Sequence, residues 1–216
     1  MQSLQQKQPL SARQINFAKS TATFSDCGRY RYLIEGRWND IERRWNDGSI
    51  CAFVGLNPST ATANSDDATI RKCVALARTW GFSGMTMTNL FAVRCRYPQV
   101  LSTHQDPVGP ENDRFLLPVI EQAHTVVAMW GNHGLKSYGQ STRRDQYILS
   151  LRDDWQCIGI TKQGAPRHPL YAASSSNLAN FTEELSKFSH GQPRPEWSGR
   201  LSSNRTHGCD QLGRLR

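Results

Sequence analysis

Three polar side chains stand directly after apolar runs of the sequence. Asn57 lies in GLNPST, Asn89 lies in MTMTNLFAVR, and His168 lies in PRHPLY. An amide held at the end of a strand orients a water molecule or binds the polar edge of a ligand, and an imidazole donates or accepts a proton. The plainer interpretations are a turn residue for each asparagine and a solvated loop residue for the histidine.

Proline and glycine residues around these positions favour loops with a defined shape. Pro58 stiffens the chain after Asn57, and two further prolines bracket His168. In AMWGNHG, two glycines flank Asn132 and His133. A side chain presented on a stiffened loop is more useful for binding or catalysis than one on a mobile loop, so these segments are candidate site loops.

Four short apolar segments, separated by stretches of helical periodicity, predict the elements that position these loops. Strands are expected at residues 50–56, 85–91, 125–130 and 156–161, and helices at 66–80, 110–123, 135–151 and around the stripe Leu178, Phe181, Leu185 and Phe188. This alternation predicts an α/β fold, a three-layer α/β/α sandwich around a central, mainly parallel four-stranded sheet. Because ligands bind such sheets at the carboxyl ends of the strands, the three polar side chains are expected on one rim.

The remaining segments set the expected domain boundaries. Residues 29–38, RYRYLIEGRW, alternate like a strand and are expected to pair with the strand at 50–56 as an antiparallel edge or hairpin. A single domain is expected over residues 26–188. It is predicted to lie between a flexible polar segment at residues 1–25 and a basic, disordered tail at residues 189–216.

Composition narrows the class of partner. The 216 residues carry a formal net charge of +8, which is typical of proteins that bind a polyanion such as nucleic acid. No apolar stretch is long enough to span a membrane, and the first residues lack the apolar core of a signal peptide, so a cytoplasmic location without membrane contact is expected. Six cysteines occur without a C-x-x-C pair, which predicts free thiols and no metal.

The ordered set of strand-end motifs resembles the uracil-DNA glycosylase superfamily. GLNP, MTMTNLFAVR, VVAMWGNHGLKSYG and RHPLY occur in the superfamily's order within residues 50–171. The fuller pattern GLNPSTATANSDDATIRKC with RHPLY also resembles a family of small bacterial and phage proteins of unknown function.

The resemblance implies a role for each matching residue. Asn57 would orient the attacking water, His168 would stabilise negative charge on the departing base, and Asn89 would read its Watson–Crick edge. The base-binding set is completed by Gly55, Pro58, Ser59 and Phe91, although core packing is the preferred interpretation of Phe91. The DNA-binding set is Arg94, Asn132, His133, Lys136, Arg167, Leu170 and Tyr171, with Arg71, Arg96, Arg143 and Arg144 as further phosphate contacts. The implied protein is a monomer without cofactor or metal that flips its target base out of DNA.

Two departures from the superfamily pattern shape the expected substrate. Where the archetypal uracil enzyme has a tyrosine that blocks substituents at C5 of the base, this chain has Ser59. We therefore expect a base larger than uracil, namely a C5-modified or damaged pyrimidine, as in defence against phages with modified DNA. His-Pro is followed by Leu170, so Leu170 or Tyr171 is the expected wedge in the DNA.

Other interpretations of the same residues remain open at this stage. The site would equally serve a nucleoside or nucleotide N-glycosidic hydrolase or transferase. Because the Asn57 amide takes up no proton at neutral pH, a non-catalytic reader of modified bases is a further alternative. Asp66 and Asp67 are best interpreted as the cap and first turn of a helix, with activation of water as the alternative.

Overall fold

The computed structural model of the protein describes residues 19–38, 49–59, 68–139 and 143–188. Seven strands form one sheet: β1 (Lys19–Phe24), β2 (Arg31–Arg37), β3 (Ile50–Gly55), β4 (Gly84–Asn89), β5 (Thr125–Ala128), β6 (Gln156–Cys157) and β7 (Ala179–Asn180). Their order across the sheet is β1-β2-β4-β3-β5-β6-β7. The α/β class predicted from the sequence is confirmed.

The sheet has more strands than the four expected. The four predicted strands are β3 to β6, and neighbouring pairs among them run parallel. The additional strands lie at the edges, where β2 pairs antiparallel with β4, β1 with β2, and β7 with β6. The expected pairing of β2 with the strand at residues 50–56 was wrong because β4 lies between β2 and β3.

The N-terminal segment predicted to be flexible, residues 1–25, includes residues that form a strand. Residues 19–24 form β1, whose backbone pairs with β2 from Lys19↔Arg37 onward. A polar strand of this kind at the edge of a sheet is stabilised by its backbone pairing, which an apolar pattern does not reveal. Residues 1–18 and the predicted tail at 189–216 lie outside the described residues.

Helices pack on both faces of the sheet. Helix α1 (Ala68–Thr79) covers one face, where its Ile70, Cys73 and Val74 cluster with Phe53 and Met87 of the sheet. The other face is covered by α2 (Asn112–Gln122), α3 (Arg144–Leu149) and α4 (Phe181–Phe188), which share a second apolar cluster. The central strand therefore has side chains buried on both faces, as parallel strands usually do.

The third predicted helix is much shorter than the sequence pattern indicated. In place of a helix over residues 135–151, a 3₁₀ turn covers Asn132–Leu135, and α3 begins only at Arg144. Lys136 is extended, and Arg143 adopts a left-handed backbone conformation with φ of 45° directly before α3. Both conformations interrupt a continuous helix. Among the described residues, no helix is long and apolar enough to cross a membrane.

The order of the strands creates a crevice at one end of the sheet. From β3 the chain passes through α1 to β4 on one side, and later through α2 to β5 on the other side of β3. The connections leave the carboxyl ends of β3 and β5 in opposite directions across the two faces. Such a switch point opens a space outside the carboxyl ends of the strands, where α/β proteins bind their ligands.

Candidate active site

A cavity of about 750 Å³ occupies the carboxyl ends of β3, β4 and β5. Eleven of the residues predicted for the site border it: Gly55, Asn57, Ser59, Asn89, Arg96, Asn132, His133, Arg167, His168, Leu170 and Tyr171. These residues come from four separate strand ends, as the expected parallel sheet requires. Its apolar lining includes Met87 and Met129, on the face of the sheet that α1 covers.

Asn57 is held in one orientation by its amide nitrogen. Nδ2 donates to the backbone oxygens of Pro58 and Cys95, each at 2.9 Å, and also to Sγ of Cys95 at 3.1 Å. The reverse orientation would place Oδ1 against two carbonyl oxygens, so the position of the nitrogen is determined by its partners. Among the described residues, Oδ1 has no donor, and it remains an acceptor beside the cavity.

Asn89 presents an unpartnered amide to the cavity. The residue is only 4% exposed, yet its side chain has no hydrogen-bond partner among the described residues. An amide that faces a cavity in this way is available to a ligand that supplies one donor and one acceptor. Gly55 makes room for it, since a Cβ at that position would lie 2.7 Å from Oδ1 of Asn89.

A buried polar cluster supports the backbone at the end of β4. Nδ2 of Asn112 donates to the backbone oxygens of Asn89 and Leu90, both at 3.1 Å. The Arg144 guanidinium also donates to Leu90 and pairs with Asp113 of α2. These contacts satisfy carbonyl groups that the sheet no longer pairs, and they hold the strand end that carries the Asn89 amide.

The histidine loop is tied to the neighbouring strand end. The backbone nitrogen of Gly131 donates to the oxygen of Pro166 at 2.9 Å, which joins the two loops. Nδ1 of His168 accepts from the backbone nitrogen of Leu170 at 3.4 Å. With Nδ1 acting as an acceptor, the proton of the neutral ring is on Nε2, which makes that atom a hydrogen-bond donor.

The GNHG loop has a supporting contact of its own. Oγ1 of Thr161 donates to Oδ1 of Asn132 at 2.6 Å, so the Asn132 side chain is hydrogen-bonded to the loop that contains Thr161. Gly134 packs flat on Trp130, because an added Cβ would lie 2.0 Å from the indole ring. Burial, together with the nearby Lys136 charge, lowers the pKa of His133, so this ring is neutral at physiological pH.

Several residues predicted for the site do not border the cavity. Phe91 is fully buried in the apolar cluster that α2, α3 and α4 share, where its ring is edge-on to Tyr138. It lies there because β4 ends at Asn89 and the chain then turns into the core. Pro58 contributes its backbone oxygen to Asn57 and Cys95 instead of a wall of the cavity. Neither residue therefore lines the cavity beside Asn57 and Asn89.

Part of the expected DNA-binding set also lies away from the cavity. The Arg94 guanidinium donates to the oxygen of Gly28 and lies over the Phe24 ring, away from the cavity. Lys136 is exposed beyond the GNHG loop and does not border the cavity. Arg143 and Arg144 are engaged in ion pairs with Asp145 and Asp113 around α3.

Sequence reasoning missed other residues that line the cavity. Arg31, at the start of β2, is 3% exposed and borders it, although the alternating strand pattern carries no signal of such a role. Cys95 is a second case, and burial raises the pKa of its thiol, which therefore stays protonated at neutral pH. An arginine in a strand or a cysteine in a loop is harder to recognise as a site residue from sequence than a histidine or an aspartate.

The charged side chains that line the cavity within the described part of the chain are arginines. The described lining residues include the arginines Arg31, Arg96 and Arg167, and none of them is an aspartate or glutamate. A cavity of this kind attracts an anion and offers hydrogen-bond donors to carbonyl oxygens. Among the described residues no cluster of histidine, cysteine and carboxylate side chains is suited to a metal ion. Asp66 and Asp67 lie outside the described residues.

Comparison with known proteins identifies the family of the chain. No curated protein and no solved structure matches it significantly. One family model, described as "Protein of unknown function (DUF1643)", matches residues 31–170. That range is well over half of the chain and holds all the cavity residues named above except Tyr171. It also contains the GLNPST motif and the first four residues of RHPLY. The chain belongs to the DUF1643 family of proteins of unknown function.

Proposed function

We propose that the protein is a DNA glycosylase related to the uracil-DNA glycosylase superfamily. It hydrolyses the N-glycosidic bond of a C5-modified or damaged pyrimidine that has been flipped out of DNA, and it leaves an abasic site. The observation that carries this proposal is the unpartnered Asn89 amide, which lies with Asn57 and His168 around one cavity.

Each of the three side chains has a chemical task in this reaction. The Asn89 amide offers a donor and an acceptor to the Watson–Crick edge of the base. Oδ1 of Asn57 accepts a hydrogen bond from the attacking water. The Nε2–H group of His168 donates to O2 of the departing pyrimidine, where negative charge develops.

The bonds and protons of the reaction balance without a cofactor. The C1′–N1 bond breaks, and its electron pair leaves with the base. The water oxygen bonds to C1′, one water proton remains on the new sugar hydroxyl, and the other is taken up by the base. Because the Asn57 amide accepts no proton, bond breaking must run ahead of water attack, through an oxocarbenium-like state.

The size of the cavity supports a substrate larger than uracil. A volume of about 750 Å³ is in the range of pockets that hold drug-sized ligands, and a bare pyrimidine fills only part of it. Ser59 borders the cavity with a short hydroxymethyl side chain. The C5 substituent is therefore proposed to occupy the remaining space.

An assay for abasic sites tests this function. The purified protein is incubated, without metal, with DNA carrying uracil, hydroxymethylcytosine, glucosylated hydroxymethylcytosine or unmodified bases. Alkali then cleaves the strand at any abasic site. Cleavage confined to one modified DNA, and abolished in Asn57→Ala and His168→Ala variants, is the expected result. Equal cleavage by wild type and both variants would contradict the assignment.

One observation favours a second candidate, a reader of modified bases that does not cut. The Asn57 amide faces two carbonyl oxygens and has no route to take up a proton. For a reader, the assay yields no abasic site on any DNA, while binding to one modified DNA is tight and depends on Asn89.

A further inference from the structure

We propose that Tyr97, together with Arg96, forms a stacking platform for an unpaired nucleobase next to the base bound in the cavity. This inference rests on the proposed function, since it adds a second contact on the same nucleic acid. Arg96 borders the cavity, and Tyr97 stands beside it with 61% of its surface exposed. Neither element of this pair is part of the histidine loop that carries Leu170 and Tyr171.

The tyrosine is presented on a rigid piece of backbone. The backbone nitrogen of Cys95 donates to Pro58 at 3.0 Å, and the oxygen of Cys95 accepts from Asn57 at 2.9 Å. On its other side, the oxygen of Tyr97 accepts from the nitrogen of Val100 at 3.1 Å, where a 3₁₀ turn begins. Because the backbone is held on both sides of Tyr97, little backbone entropy is lost when a base stacks on its ring.

A cation already lies against this ring. The guanidinium carbon of Arg96 is 5.7 Å from the centroid of Tyr97, and both side chains are exposed. Single-strand binding sites combine a cation for the phosphate with an aromatic face for the base, and stacking of this kind tolerates any base sequence. An isolated exposed tyrosine is ordinary on a protein surface, but one paired with a cation at the mouth of a cavity is suited to this role.

The two sides of the cavity carry similar residue types. Arg96 and Tyr97 follow β4, whereas Arg167, Leu170 and Tyr171 follow β6, and β3 and β5 lie between these strands. Each side therefore carries an arginine that borders the cavity and an exposed tyrosine; Tyr171 is 80% exposed. A strand crossing the mouth with one nucleotide in the cavity would meet one aromatic ring on each side of that nucleotide.

Fluorescence with unmodified single-stranded oligonucleotides tests the platform. One oligonucleotide carries fluorescein for anisotropy at fixed salt, and another carries 2-aminopurine, whose emission falls when it stacks on a tyrosine. We expect Tyr97→Ala to raise the Kd about 10-fold and to abolish the 2-aminopurine quenching, because stacking on an alanine is lost. Tyr97→Phe keeps the ring and both signals.

Tyr147 offers the matched control. It is 47% exposed on α3 and does not border the cavity, so Tyr147→Ala should leave Kd and quenching unchanged. A Tyr97→Ala variant that binds and quenches like the wild type overturns the inference, as does a protein that binds no oligonucleotide. Abasic-site formation, measured on the same preparations, separates the two proposals: Tyr97-dependent binding without any abasic site supports the platform and contradicts the glycosylase.

Discussion

The amide nitrogen of Asn57 lies 2.9 Å from the backbone oxygen of Cys95, which is 38 positions further along the chain. With the second contact to Pro58, this hydrogen bond holds the Asn57 amide in one orientation. The surrounding carbonyl groups select a donor, and they determine which atom of Asn57 remains to act on a ligand.

Asn57→Asp is therefore expected to weaken the fold and not to improve catalysis. A carboxylate would turn an oxygen toward two carbonyl oxygens and lose both hydrogen bonds, at a cost of about 2–4 kcal/mol. The melting temperature should fall for Asn57→Asp at least as much as for Asn57→Ala. An aspartate variant as stable as the wild type, with faster excision, would show that the carbonyl groups do not control this position.

His168→Gln is expected to lower kcat for excision by about 10²–10³-fold, because glutamine is a poorer donor to a developing oxyanion and sits at a different distance. Affinity for DNA and the melting temperature should change little, since His168 is partly exposed and the hydrogen bond that it accepts from the backbone nitrogen of Leu170 is long, at 3.4 Å. Single-turnover kinetics and anisotropy on the same oligonucleotide separate the two effects. Loss of binding with unchanged kcat would remove the histidine from the chemical step.

Gly55→Ala is expected to disable base recognition through Asn89. The added Cβ would lie 2.7 Å from Oδ1 of Asn89 and 3.3 Å from Cε of Met129, so the amide must move. Excision should fall by at least 10-fold, comparable to the fall in Asn89→Ala. The double variant provides the control: if the glycine acts through Asn89, Gly55→Ala adds little to Asn89→Ala, whereas additive losses would point to a separate role.

Cys27 is expected to be the most reactive of the described thiols near neutral pH. Hydrogen bonds from Arg29 and Ser25 lower its pKa to about 7, from an ordinary value of 9.0, and the side chain is exposed. Since the thiolate is the nucleophile, alkylation by iodoacetamide should rise with pH and reach half its maximum near pH 7.

Peptide mass spectrometry at a series of pH values distinguishes the individual cysteines. Arg29→Ala should move the Cys27 midpoint upward, because the largest cause of the lowered pKa is removed. Cys157 is the internal control: burial raises its pKa to about 11, and it should remain unmodified in the folded protein. A Cys27 midpoint near 9 in the wild type would contradict the assigned hydrogen bonds.

Much of the candidate site was predictable because it depends on local patterns. The apolar runs at residues 50–56, 85–91 and 125–130 mark parallel strands, and parallel strands bring their carboxyl ends to one rim whatever lies between them. Asn57, Asn89 and His168 border a common cavity for that reason. Phe91 was misplaced because a period of two was continued past the residue where the strand ends.

The sequence by itself determined the α/β class, the four central strands and the set of polar residues at their ends, since apolar periodicity and chain punctuation are local properties. Tertiary structure decided the contacts that join distant segments. Only packing brings the Cys95 carbonyl to Asn57, pairs β2 with β4 instead of β3, and buries Arg31 beside the cavity. These outcomes depend on which strands become neighbours, and backbone pairing at sheet edges leaves no pattern in the side chains.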